Sequence, residues 1–218
     1  INIENIQFLN GGFFGVDKWV AGEDHQIAIS DRFLTWGWKE LPNHPAIKNL
    51  KTQSMPSPWL SERKLYWKDL VVDGPKKFDV LWMPHALKQF THSPPSVYAN
   101  RLENINEFSN SMIDFITNAA KSKIKVYCKP FNPVTVYLMA DTYRSMGEIG
   151  GDFFECSDRF DKGMNYDLLE TCSMVLWDQP GTGFMECIAS GIPTMILWAP
   201  YYKEEKWCEE DFISLEEA

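Results

Sequence analysis

The sequence contains no Asp-x-Asp pair, no histidine spacing suited to a metal and no Gly-x-Ser-x-Gly elbow. Neither a metal-dependent nor a serine mechanism therefore finds support in it. No hydrophobic run approaches the length of a membrane span, and no signal peptide is visible. Basic residues are short: 21 Lys and Arg stand against 30 Asp and Glu, a net charge of −9 with a pI near 5.0. Nucleic-acid binders neutralise phosphates with clustered Lys and Arg, so that class is set aside. The late acidic groups, Glu204-Glu205 and Glu209-Glu210-Asp211, read as a solvated helix face. The five cysteines (Cys128, Cys156, Cys172, Cys187 and Cys208) include no C-x-x-C pair, and most lie within apolar runs. They read as buried free thiols in a reducing cytosol and argue against a structural zinc site.

What is present is an α/β pattern. The 218 residues leave one large domain or one and a half open. Ile6 to Leu9 and Phe33 to Trp36 are strand-like and flank a glycine-rich loop. Between 42 and 62, Pro42, Pro45, Pro56 and Pro58 are expected to prevent continuous helix or strand. This stretch reads as a linker. After Lys76-Lys77 strands and helices alternate. Phe78 to Met83 is a buried strand ending at Pro84-His85, and apolar residues at helical spacing predict a helix from Arg101 to Ala120. Lys125 to Cys128 is a short strand ending at Lys129-Pro130. Asn132 and Pro133 read as an N-cap and first helical residue of a helix stopping at Gly147. Phe153 to Cys156 is a third strand, and Asn165 caps a short helix through Cys172. This order implies right-handed crossovers and a Rossmann-like parallel sheet with helices on both faces.

The stretch from Ser173 to Trp198 carries most of the chemistry. Met174 to Trp177 and Thr194 to Trp198 are apolar runs without alternation, as expected of parallel strands covered on both faces. Between them Asp178 ends a strand, Gly181-Thr182-Gly183 opens a helix, Glu186 falls one turn inside it, and Gly191 and Pro193 stop and restart the chain. A helix N-terminus offers unpaired N–H donors and a positive dipole end, which suits a phosphate. Carboxylates at strand ends commonly take ribose hydroxyls. The same residues also fit a structural role, with Asp178 capping the helix and Glu186 facing water. Lys129 and His85 stand at the corresponding corners of two other strands and fit either a ligand contact or an ordinary loop role.

An acidic residue after a strand, Gly-Thr, and a Glu on a helix ending in Gly-x-Pro-Thr resemble the donor-nucleotide half of GT-B glycosyltransferases. More narrowly, the chain resembles transferases of bacterial surface-polysaccharide biosynthesis, relatives of capsule Kdo-transferases and CDP-glycerol glycerophosphotransferases. Asn10-Gly11-Gly12-Phe-Phe-Gly15 and Ile29-Ser30-Asp31-Arg32-Phe-Leu-Thr-Trp36-Gly37-Trp38 are similar to a second block of that family, whose histidine is Asn10 here. Its His-Pro element lacks the histidine at Lys129-Pro130. The resemblance implies residues 1-41 as a remnant of an N-terminal domain, 42-75 as the interdomain linker and 76-218 as the nucleotide-sugar-binding domain, incomplete at its C-terminus. It also implies that the chain, which opens at Ile1 and stops in Ser-Leu-Glu-Glu-Ala, is a fragment of a longer protein.

The implied activity is transfer of a glycosyl or alditol phosphate group from a nucleotide donor to a cell-surface glycan, without metal or cofactor. Expected partners are the nucleotide-sugar donor and glycan acceptor, with a cytoplasmic location and peripheral association with a membrane-bound pathway. The expected donor-binding residues are Asp178, Gly181, Thr182, Gly183, Glu186, Lys129 and His85, with Asn10, Gly11 and Gly12 on a cleft loop; no general base is identified. A degenerate binding module or a GT-B-like sugar-nucleotide epimerase is the alternative.

Overall fold

The computed structural model describes residues 4–9, 23–37, 51–70, 74–86, 105–160, 163–178 and 181–197. Two parallel sheets are built from them. The smaller takes β1 (Ile6–Phe8), β2 (Arg32–Trp36) and β3 (Lys51–Met55) in that order, with Phe33 opposite Gln7 and Thr52. Helix α1 (Glu23–Ala28) lies between β1 and β2 in the chain. Asp31 fixes the start of this sheet: its Oδ2 accepts the Asn5 N–H at 2.8 Å, while the Asn5 side chain donates to the Ile29 carbonyl. The Ser30-Asp31 block thus has a clear local job in joining β1 to β2.

Helix α2 (Pro58–Tyr66) follows β3. Its presence, with that of β3, corrects the expectation that prolines exclude regular structure between 42 and 62. The prolines sit at the joints instead. Lys51 to Met55 is free of proline, and Pro58 occupies the helix start, where a missing N–H costs nothing. Ser57 caps the helix by accepting the Leu60 N–H at 3.2 Å.

The larger sheet is wholly parallel, in the order β6 (Phe154–Cys156), β5 (Val126–Cys128), β4 (Phe78–Met83), β7 (Cys172–Trp177), β8 (Thr194–Ile196). Numbered within the unit this is 3-2-1-4-5, the Rossmann order. Helices cover both faces, as expected. On one side Val80, Trp82, Val126, Cys128 and Leu176 meet Phe108, Met112, Ile116 and Ala119 of α3 (Ile105–Lys121) and Tyr143 and Met146 of α5 (Ala140–Gly150). On the other, Leu81, Met83 and Val175 pack with Leu168 and Leu169 of α6 (Tyr166–Thr171) and Cys187 of α7 (Thr182–Ser190). The spacing of the α3 residues gives one apolar stripe along four turns, which is why this helix holds its place.

Two helix limits differ from expectation. Asn132 does cap a helix, accepting the Thr135 N–H at 2.8 Å, but α4 (Pro133–Leu138) ends at Met139, whose φ of −118° breaks the run. The next helix, α5, continues through Gly147 to Gly150. A glycine inside a helix costs only about 1 kcal/mol against alanine, and burial of Tyr143 and Met146 outweighs it. Asn165 caps α6 by accepting the Leu168 N–H at 3.0 Å. No helix among the described residues is long and apolar enough to cross a membrane.

Candidate functional site

The order of the larger sheet places its topological switch point between β4 and β7, because β5 and β6 extend to one side and β8 to the other. Ligands of open parallel sheets bind outside the carboxyl ends of the strands at this point. Met83 and Trp177, the last residues of β4 and β7, are register partners. The residues that follow them therefore emerge side by side. Asp178 Oδ2 accepts the backbone N–H of His85 at 2.7 Å, closing the two loops across the crevice. Sequence reasoning proposed both residues separately; the fold brings them into contact.

Asp178 is buried, and its second oxygen, Oδ1, has no hydrogen-bond partner among the described residues. Burial pushes the carboxyl up to about 7, against the pull of two backbone N–H groups, those of His85 and of Asp178 itself. A buried carboxylate oxygen without a partner is costly unless a donor reaches it, so the corner is built to accept hydrogen bonds. Two further buried polar atoms on the α3 and α5 side, Trp82 Nε1 and the Tyr143 hydroxyl, also lack partners among the described residues. Burial above all, then the nearby Cys128, Cys156 and Asp178, pushes the Tyr143 hydroxyl far up, so it stays protonated. Neither Trp82 nor Tyr143 was singled out from sequence: Trp82 stands in an apolar run that reads as core, and Tyr143 lies inside an expected helix among polar residues.

Lys129 follows β5, next to β4, and donates its backbone N–H to the Trp82 carbonyl at 2.8 Å. Lys129 is only 1% exposed, so it is not a solvated strand-end lysine. His85 is likewise buried. The adjoining edge carries buried Ser157, whose N–H bonds the Cys128 carbonyl at 2.8 Å.

Helix α7 begins within four residues of Asp178. Gly181 is its N-cap in an extended conformation, with no side-chain cap bond, and the Met185 N–H closes the first turn onto the Gly181 carbonyl at 3.0 Å. Thr182 and Gly183 thus contribute first-turn N–H groups that the helix itself does not use. Gly183 has a second reason to be glycine. A Cβ there would lie 2.3 Å from the Trp177 ring, so the indole packs directly on the helix backbone. This is the close strand–helix approach that glycines at this point of a Rossmann unit allow.

Glu186, one turn inside α7, makes side-chain contacts of its own. It is buried, and its Oε1 accepts from both Arg63 Nε and Trp67 Nε1, each at 2.6 Å. The Arg63 guanidinium is in turn stacked over Tyr66 at 4.2 Å and Trp67 at 4.8 Å. Trp59, Arg63 and Trp67 recur at four-residue spacing in the sequence, which puts them on one helical face without naming Glu186 as what that face meets. Asn10, Gly11 and Gly12 lie outside the described residues.

Six of the expected positions therefore gather at one crevice: Asp178 and His85 in contact, Lys129 one strand away, and Gly181, Thr182 and Gly183 at the α7 start just beyond. The curated proteins searched include no match to the chain. A family model described as LIC12162 family transferase matches residues 6–218. That match spans nearly the whole sequence, and the chain belongs to this family of transferases.

Proposed function

We propose that the crevice at the β4/β7 switch point binds a nucleotide-linked donor, from which a glycosyl or alditol phosphate group passes to a cell-surface glycan. The observation that carries this reading is Asp178. One carboxylate oxygen anchors the His85 loop, and the other is buried with no partner among the described residues. A ribose offers the hydroxyl donors such an oxygen needs. The donor phosphate is assigned to the first turn of α7 at Gly181, Thr182 and Gly183, where the helix's N-terminal N–H groups and dipole favour negative charge. Charge that develops on the leaving phosphate would be stabilised there electrostatically. Lys129 adds a cation at the next strand end. Glu186 supports the helix from behind through Arg63 and Trp67.

In this reading residues 76-218 form the donor domain, residues 1-41 belong to an N-terminal domain, and Asn10, Gly11 and Gly12 line the facing wall of the cleft. The transferase is then a GT-B-type enzyme working on the cytoplasmic side of a surface-polysaccharide pathway. Family membership and the Rossmann strand order support it. The test is a ligand-detected NMR screen with CMP, UDP, GDP and CDP conjugates. Saturation transfer to one nucleotide class, lost in Asp178→Ala but retained in an exposed-site control such as Tyr137→Ala, is the expected result. No transfer to any of the four would sink the reading.

A further inference from the structure

Two thiols meet at the edge of the larger sheet. Cys128 ends β5, Cys156 ends β6, and the two are partners in the parallel register. Residues paired across a ladder project to the same face, so the two sulfurs are neighbours at the strand ends, and Cys156 Sγ lies 3.8 Å from the Ser157 carbonyl oxygen. Their surroundings differ sharply. Cys128 is wholly buried against the Trp82 and Tyr143 cluster, whereas Cys156 is exposed on an edge strand.

That asymmetry sets which sulfur keeps the proton. Burial holds the Cys128 thiol well above the usual range, and the nearby Asp178 adds to the effect. The neighbouring Cys128 thiol lowers the Cys156 thiol, outweighing burial and Asp158, which act to raise it. The thiolate is the nucleophile in thiol chemistry, so the exposed sulfur is the reactive one and the buried sulfur its proton-bearing neighbour. Among the described residues Cys172 and Cys187 offer no such pairing. Both are buried, and burial raises both thiols, that of Cys187 to about 12.

We propose that Cys156 is an oxidative modification site and that Cys128 resolves it, forming a disulfide across the carboxyl ends of β5 and β6. Adjacent strands lie about 4.8 Å apart, inside the Cα separation of roughly 4.4–6.8 Å that a disulfide spans. Hydrogen peroxide is the oxidant. The Cys156 sulfur attacks one peroxide oxygen, the O–O bond breaks, and hydroxide leaves and takes up a proton to give water and a sulfenic acid. The Cys128 sulfur then attacks the Cys156 sulfur and gives up its proton. The S–O bond breaks and a second water departs. Two thiols lose two electrons in total and one peroxide gains them. Resolution protects Cys156 from the irreversible sulfinic state. The pair lies within electrostatic reach of Asp178, so the bond forms at the corner of the same crevice, although its formation does not depend on what the crevice binds.

The experiment uses the full chain carrying Cys208→Ser. A short iodoacetamide pulse on the native protein at neutral pH is followed by peptide mapping. Cys156 should be labelled at least about tenfold faster than Cys128, Cys172 or Cys187, as a thiolate-favoured exposed site would be. In a separate, unalkylated sample, equimolar hydrogen peroxide should remove two hydrogens from the intact mass, join the Cys128 and Cys156 peptides and reverse with dithiothreitol. In Cys128→Ala the same treatment should leave a sulfenic acid on Cys156 that dimedone traps. Equal labelling of the four cysteines overturns the proposal. So does conversion of Cys156 to sulfinic acid in the parent with no joined peptide. Should Cys128→Ala fail to fold, the parent's peptide map decides alone.

Discussion

Arg63 Nε and Glu186 Oε1 lie 2.6 Å apart, joining α2, the helix that leads into the larger unit, to α7 of that unit's core. The pair is partly sheltered, with the Arg63 side chain 20% and the Glu186 side chain 8% exposed. The same oxygen also holds the Trp67 indole. Residue 186 is thus a strut between two helices that are 119 or more residues apart in the chain.

The first prediction follows from that strut. Glu186→Gln keeps an oxygen for the indole but removes the charge facing Arg63. A hydrogen bond involving a charged group contributes about 1.5–3 kcal/mol, and the cost should fall in that range. In a chain of this size each kcal/mol lowers the melting temperature by about 2–4 °C. A double-mutant cycle with Arg63→Met should show coupling above about 0.5 kcal/mol. Strict additivity would mean that the two side chains are neighbours without being a strut. Nucleotide affinity measured on the same variants separates this supporting role from direct contact with a donor.

The second prediction concerns two glycines of α5. Gly147 has open space where a Cβ would stand, so Gly147→Ala should stabilise the chain by about 0.5–1 kcal/mol through helix propensity and a stiffer unfolded chain. At Gly150 a Cβ would meet the Phe154 Cβ at 2.3 Å, where α5 turns into β6. Gly150→Ala should cost about 1–3 kcal/mol by overpacking. Thermal melts of the two variants test this. Shifts of the same sign would contradict the packing at this corner.

These cases mark what sequence reasoning can reach. The strands after residue 76, their parallel order and the caps at Asn132 and Asn165 were legible, because buried parallel strands leave unbroken apolar runs and caps have a local chemistry. The strand–glycine–helix opening at Asp178 and Gly181 was legible for the same reason. What escaped was decided between distant segments. Proline density between 42 and 62 hid β3, since a strand of five residues needs only a proline-free window and a partner in β2. The end of α5 at Gly150 rather than Gly147 depends on packing against Phe154. The engagement of Glu186 by Arg63 and Trp67 joins residues whose spacing along the chain carries no hint of contact. Contact between Asp178 and His85 likewise required knowing that β4 and β7 are neighbours.

A third prediction bears on metal. The proposed site holds phosphate with helix N–H groups and carries no Asp-x-Asp pair to recruit a cation. Nucleotide affinity, measured by calorimetry, should therefore be the same in EDTA as in magnesium. Loss of binding on chelation and recovery on adding magnesium or manganese would move the phosphate site away from the start of α7.

The last prediction turns on the acidity of Asp178. Its carboxyl stands at about 7 in the folded chain, well above the ordinary 3.8, because burial disfavours its charged form. The sign follows from proton uptake. Between those two values the folded chain keeps a proton that the unfolded chain has lost, so stability falls as pH rises through this window. Asp178→Asn removes the titration while leaving an amide oxygen to accept the His85 N–H. The variant should therefore gain on the parent as pH increases from about 5 to about 8, by several °C in melting temperature. Nucleotide binding should run the other way in the parent. A ribose hydroxyl donating to Oδ1 favours the ionised carboxylate, so affinity should rise toward pH 8, while in Asp178→Asn it should be weaker and flat. A stability difference that does not change with pH would place the carboxyl in contact with water. Parallel affinity profiles for the two proteins would remove Asp178 from the donor site.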